Sequence, residues 1–133
     1  MGYRDIKLAL STSQNLVASA DSESFIDTEQ TIPGWEKGMP AAIIINVETV
    51  NTAATGYTIE ICHKADAEPT NNDGTYYEVV LLAAQLTAGA QIVLPLLPGI
   101  PLLRYVRLYF AETGGTEDYV VSAYFTPLPA PIY

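Results

Sequence analysis

Apolar and polar positions alternate at period two along most of the chain, and no stretch of ten or more residues carries an apolar 3.6-residue period. Strands rather than helices are therefore predicted. The densest pattern covers residues 102–125, where Leu102-Leu-Arg-Tyr-Val-Arg-Leu-Tyr-Phe110 and Tyr119-Val-Val-Ser-Ala-Tyr-Phe125 flank Ala111-Glu-Thr-Gly-Gly-Thr-Glu-Asp118. Two β-branched and aromatic runs meeting at Gly-Gly predict a hairpin whose turn needs positive φ. With Gly114-Gly115 as a two-residue turn, Val106 faces Ala123, Leu108 faces Val121 and Phe110 faces Tyr119, and these are expected in the core. Tyr105 opposite Tyr124, Arg107 opposite Ser122 and Tyr109 opposite Val120 then share the second face. That face is too aromatic for solvent alone and is expected to meet a partner.

Upstream, Ile6, Leu8 and Leu10 alternate with Lys7 and Ala9, which predicts a short strand, a polar turn at Ser11-Thr-Ser13 and a return strand over residues 14–18. Residues 20–39 carry five acidic side chains, Pro33-Gly34, Trp35 and Gly38 without sustained period. This reads as a long loop or arm, of a length that is usually functional or disordered. Residues 41–50 form a strand with Ile43, Ile45, Val47 and Thr49 on one face and Ile44, Asn46 and Glu48 on the other. After a turn at 51–56, residues 57–63 return with Tyr57, Ile59 and Ile61 inward and Thr58, Glu60 and Cys62 outward. A loop ending in Asn71-Asn-Asp-Gly74 precedes strands at 75–82 and 91–96, with at most one helical turn between them. Pro95, Pro98 and Pro101 force extended or turning backbone, and the tail Thr126-Pro-Leu-Pro-Ala-Pro-Ile-Tyr133 is expected to be an extended, polyproline-like arm. The sum is one all-β domain of about eight antiparallel strands, a jelly roll or β-sandwich.

Composition narrows the function. A chain of 133 residues can bury an adequate core without disulfide or metal staples. A net charge of −9 with only 6 basic residues repels polyanions, so neither nucleic acid nor an acidic membrane is an expected partner. Cys62, the single cysteine, leaves no internal disulfide to form and suits a reducing cytoplasm. The amino terminus is polar and no apolar run nears the ~20 residues that cross a bilayer, so a soluble protein made in the cytoplasm is expected. Only 16% of residues are charged, against about 25% in typical domains, so some uncharged surface should be covered by partners.

Candidate chemistry is sparse. His63 adjoins Cys62, but neighbours in a strand point to opposite faces and no further His or Cys exists to complete a metal shell. A Ser-His-Asp triad would need the same His63 and lacks a Gly-x-Ser-x-Gly elbow. Asp21, Glu23, Asp27 and Glu29 keep no calcium-loop spacing, nor do Asn71, Asn72 and Asp73, which are ordinary turn vocabulary. No enzyme, metal or cofactor is expected. Trp35 reads as a packing or interface anchor, with sugar stacking as the alternative. Arg104 and Arg107 are two of the few cations, and Arg107, between Tyr105 and Tyr109, is placed either to stack on rings or fork onto a carboxylate across an interface, or to lie exposed.

The run Pro98-Gly-Ile-Pro-Leu-Leu-Arg-Tyr-Val-Arg-Leu-Tyr-Phe110, the Gly-rich turn and the last strand ending Val121-Ser-Ala-Tyr-Phe125 resemble the capsid cement (decoration) proteins of tailed bacteriophages. The loop with Asp27 and the passage from Gly34 to Pro40 into a long strand are similar to them as well. The resemblance implies a small jelly roll that binds the outer surface of the head as a homotrimer, bridges subunits of the major capsid protein and stabilises the shell mechanically. Trp35, Tyr105, Arg107, Tyr109, Tyr124, Pro127, Pro129 and Tyr133 are then the expected interface residues, to the capsid or within the trimer. The alternative is a carbohydrate-binding β-sandwich module, possibly part of a tail or receptor-binding protein.

Overall fold

The structure is a computed structural model, and it describes residues 9–17, 19–28, 41–52, 56–66, 68–70, 74–96, 103–113 and 118–127. The strands are β1 (Ala9–Leu16), β2 (Ala20–Asp21), β3 (Ile26–Asp27), β4 (Ala41–Thr52), β5 (Gly56–Lys64), β6 (Gly74–Leu82), β7 (Gln91–Pro95), β8 (Tyr105–Thr113) and β9 (Asp118–Pro127). A 3-10 turn, Ala83–Gln85, stands where one helical turn was expected.

Two antiparallel sheets face each other, one in the order β1-β9-β4-β7 and one in the order β2-β8-β5-β6, with β3 also on β8. β1 with β9, β2 and β3 with β8, β4 with β7 and β5 with β6 are the rungs of one long antiparallel hairpin. Rolling that hairpin brings β9 against β4 and β8 against β5, which is the jelly roll. The alternating apolar residues of both sheets meet between them, with Leu10, Ile43, Ile61, Leu108, Phe110 and Phe125 all buried. Tyr57 of β5 meets Tyr119 of β9 edge to face at 5.5 Å, so the core is bridged across the two sheets.

The runs flanking Gly114-Gly115 are not a hairpin. β8 pairs with β5, β2 and β3, whereas β9 pairs with β4 and β1. The chain crosses from one sheet to the other between them. The core set survives this correction, since Val106, Leu108, Phe110, Val121 and Ala123 are all buried. The second face does not survive. Tyr105, Arg107 and Tyr109 lie outward on the β8 sheet, and Tyr124 lies outward on the β9 sheet, on opposite sides of the molecule.

Four further expectations change. Ser11-Thr-Ser13 is not a turn between two strands: β1 runs through it as one strand with register shifts on β9, and Ser13 adopts φ 47° at the bulge. Ser and Thr served a left-handed bulge here rather than a chain reversal, while residues 1–8 lie outside the described ones. The 20–39 loop contributes β2 and β3 to the edge of β8 over its described part. In β4 a register shift between Val47 and Thr49 turns Thr49 outward and draws Val50 partly into the core. The 126–133 arm begins inside β9, where Thr126 and Pro127 pair with Ala42 and Ala41.

The hairpin made by chain neighbours within one sheet is β5–β6. At its start a glycine is required, because a Cβ on Gly56 would come within 2.6 Å of the Leu81 carbonyl oxygen. Close approach of the two backbones fixes this register and thereby the face that β6 presents.

Candidate interaction surface

Inward residues of the β2-β8-β5-β6 sheet are apolar, so its other face carries what the chain offers to partners. Register assigns that face row by row. Glu78 of β6 lies beside Glu60 of β5, Glu60 beside Tyr109 of β8, and Tyr109 beside Asp21 of β2. Three carboxylates and a phenol thus cross the sheet in one line, with Thr75 donating a hydrogen bond to Glu60 at 3.3 Å. Toward one end the next row holds Val80, Thr58 and Ala111; toward the other it holds Thr75, Cys62 and Arg107. Directly opposed like charges on a sheet cost free energy unless a cation sits near them.

Arg107 finds its carboxylate within the chain. Its Nε donates to the Ser22 carbonyl at 2.7 Å and its Nη1 pairs with Glu68. The side chain is only 15% exposed, which makes it a clamp over the sheet. Cys62, expected outward, is buried beside it; the outward direction is right, but this part of the outer face is covered.

Tyr105 anchors a second joint. Arg104 forks onto Asp27 with bonds of 3.0 and 2.9 Å and lies 5.1 Å over the Tyr105 ring, while Phe25 meets that ring edge to face at 5.8 Å. Thr28 donates to the Arg104 carbonyl through both its N–H and its hydroxyl. The β3 segment is therefore tied to the start of β8 by a bidentate ion pair and two hydrogen bonds.

The opposite outer face is quieter. There Ser13 and Ser122 both donate to Glu48, and Ser122 accepts the Ser13 N–H at 3.0 Å. These bonds hold the left-handed bulge of β1 on β9. Tyr124 lies on this same side, between Ile44 and Ala9.

His63, Tyr76 and Tyr77 cluster toward one end of the sandwich. The Leu103 N–H donates to His63 Nδ1 at 3.3 Å, and His63 meets Tyr76 edge to face. Desolvation holds the His63 pKa below its ordinary 6.5, and a protonated Nδ1 would also lose that hydrogen bond. Tyr77 donates to the Pro95 carbonyl at 2.6 Å, joining the edges of the two sheets. Burial, and then the neighbouring Tyr76, push its pKa from 10.0 to about 12. The two shifts fix opposite limbs of a stability profile. The lowered His63 value means stability is complete above pH 6.5 and declines as the pH falls through the folded-state pKa. The raised Tyr77 value means stability is complete below pH 10.0 and declines as the pH rises toward about 12. Urea midpoints measured across pH should show this plateau; His63→Gln should flatten the acid limb and Tyr77→Phe the alkaline one.

Trp35, Pro129 and Tyr133 lie outside the described residues. Pro127 closes β9. Tyr105, Arg107 and Tyr109 come together on one face, and Tyr124 does not join them. Asp21 was read only as part of an acidic loop and Glu60 only as an outward strand residue, while the residues that sequence reasoning missed are Glu78, Val80 and Leu82. Their only signal was the turn vocabulary Asn71-Asn-Asp-Gly74 between two alternating runs, which marks the β5–β6 hairpin and hence the Glu60–Glu78 pairing.

Among the described residues no group of three or more His, Cys, Asp or Glu side chains is arranged to hold a metal ion. No curated protein matches the chain. The family model described as Bbp16 matches residues 10–120.

Proposed function

The chain belongs to the Bbp16 family, and on that premise we propose that it is a structural protein of the bacteriophage virion. It binds the outer surface of the head, bridges subunits of the major capsid protein and stabilises the shell. The observation that carries this reading is the family match across most of a jelly roll, which supports the phage association. The resemblance of residues 98–110 and 121–125 to cement proteins supports the capsid role.

The outer face of the β8 sheet suits the task. It offers carboxylates and tyrosines to a basic or amide-rich surface, and an acidic protein is kept off the packaged nucleic acid by its own charge. Its work is mechanical, without catalysis or cofactor. Homotrimer formation rests on the resemblance alone, because Tyr105, Arg107 and Tyr109 lie on the opposite side of the molecule from Tyr124. Light scattering of the free protein reads that state directly, a trimer having three times the 14.4 kDa of the chain.

Electron microscopy of heads assembled with and without the protein tests the whole reading. Ordered density on the outside of the shell, and heads that release DNA at a higher temperature when decorated, are the expected results. Heads that show no added density at saturating protein would overturn it. Deleting residues 126–133, or changing Trp35→Ala, should lower occupancy if the arms share in the contact, since extended segments reach across neighbouring subunits at a cost in ordering.

A further inference from the structure

We propose that the outer edge of β6 accepts an extended segment of the shell protein, added as a further strand. That segment carries a lysine or arginine where it passes Glu78 and apolar side chains where it passes Val80 and Leu82. The inference rests on the capsid-binding reading and names what its surface receives.

Among the described strands the sheet edges are β1, β7, β6 and β2 with β3, and all but β6 are blunted. β1 is shifted twice in register on β9 and kinked at the left-handed Ser13. β7 is five residues long and ends on Pro95, which has no N–H to donate. β2 and β3 offer two residues each. β6 is nine residues long, Gly-Thr-Tyr-Tyr-Glu-Val-Val-Leu-Leu, and runs in regular register on β5 from Tyr77 to Leu82. No described strand pairs with its outer side.

Soluble proteins guard an edge of that kind with Lys, Pro or a bulge along it, because its free N–H and C=O groups template another strand. β6 has neither Lys nor Pro, and its irregularity, opposite Ile61 and Cys62, leaves the last six residues untouched. Val80 is 66% and Leu82 62% exposed, so no described residue covers their side chains, although the Leu82 N–H itself donates to Gln85 Oε1 at 2.9 Å. Strand addition would supply main-chain hydrogen bonds for affinity, with alternate side chains setting specificity.

Charge decides the occupant. Glu78 sits against Glu60, and the row continues through Tyr109 to Asp21, so the edge has an excess of negative charge at its midpoint. The described cations are Lys64, Arg104 and Arg107, and each already interacts within the chain. A second copy of β6 would bring another glutamate to this row and another chain of charge −9, which raises the repulsion. A foreign strand with a basic side chain relieves it.

Heads from a phage lacking this protein provide the probe. Wild type, Glu78→Lys and Val80→Lys are titrated onto them, with Val93→Lys as the control, since Val93 is exposed on the other sheet's edge. Each variant is first checked for a thermal midpoint no lower than that of wild type. Half-saturation is expected to rise about tenfold for Glu78→Lys and Val80→Lys and to stay within about twofold for the control. Amide hydrogen exchange on wild-type protein gives a second readout that needs no variant: amides of Gly74–Leu82 should slow on bound heads relative to free protein. If wild type does not decorate heads at all, the capsid reading falls and this inference falls with it. If wild type decorates, the lysine variants bind equally well and β6 amides exchange unchanged, the edge is not the acceptor, and the capsid reading stands. If β6 is already protected in a free oligomer that Val80→Lys dissociates, its occupant is a second copy and the proposal is overturned.

Discussion

Leu108→Ala is expected to lower the unfolding free energy by about 2–5 kcal/mol, out of the roughly 5–15 kcal/mol that a domain of this size has in all. Leu108 is fully buried at the middle of β8, facing the core with Ile61 beside it on β5. Neither sheet can collapse onto the missing methyl groups. β8 is pinned on both sides, by β5 along its whole length and by the Ser22 segment, whose N–H donates to the Leu108 carbonyl at 2.8 Å and whose hydroxyl accepts the Leu108 N–H at 3.2 Å. A cavity held open in this way costs more than one that can relax. Urea unfolding should show the loss as a lower midpoint with an unchanged slope. A shift near zero would mean that Leu108 does not fill the space between the sheets.

Core membership was legible in the sequence because alternation at period two marks which side chains share a face. It does not mark which strand lies next to which. Val106, Leu108 and Phe110 face Val121 and Ala123 whether the two strands are neighbours in one sheet or opposed across a sandwich. The runs flanking Gly-Gly were therefore read as a hairpin although β8 and β9 lie in different sheets, and Tyr124 was assigned to the wrong side. Local turn chemistry misled in the same way at Ser11-Thr-Ser13, since a left-handed bulge and a reversal draw on the same residues.

The candidate surface was harder to read for a plain reason: its parts come from distant strands. Asp21, Glu60, Glu78 and Tyr109 sit in a row only because four strands take a particular order and register. The burial of Cys62 is likewise non-local, since it lies in register with Arg107, whose partners Ser22 and Glu68 come from separate segments.

Arg107→Ala should cost about 1.5–3 kcal/mol, the range for a hydrogen bond to a charged group whose partner stays behind. The two partners of the guanidinium are unequal. Glu68 is 52% exposed and can return to water, so Glu68→Ala should cost only about 0–1 kcal/mol. Ser22 is buried, and its carbonyl would be left without the Arg107 donor in the gap between β2 and β3, where Ser22 carries the pairing to β8 that a continuous strand would otherwise make. Most of the loss therefore belongs to Ser22. Arg107→Lys should recover little, because an ammonium cannot reach both oxygens with the fixed fork that the guanidinium provides. The contrast also separates two roles for the residue. As an internal clamp, Arg107→Ala lowers the unfolding midpoint and, at temperatures where the variant is folded, leaves head occupancy near that of wild type. As a contact to another subunit it would do the reverse, with stability kept and occupancy lost. Paired measurements of unfolding and head binding on Arg107→Ala and Glu68→Ala decide between them, and an unchanged midpoint with lost occupancy would move Arg107 from the fold to the interface.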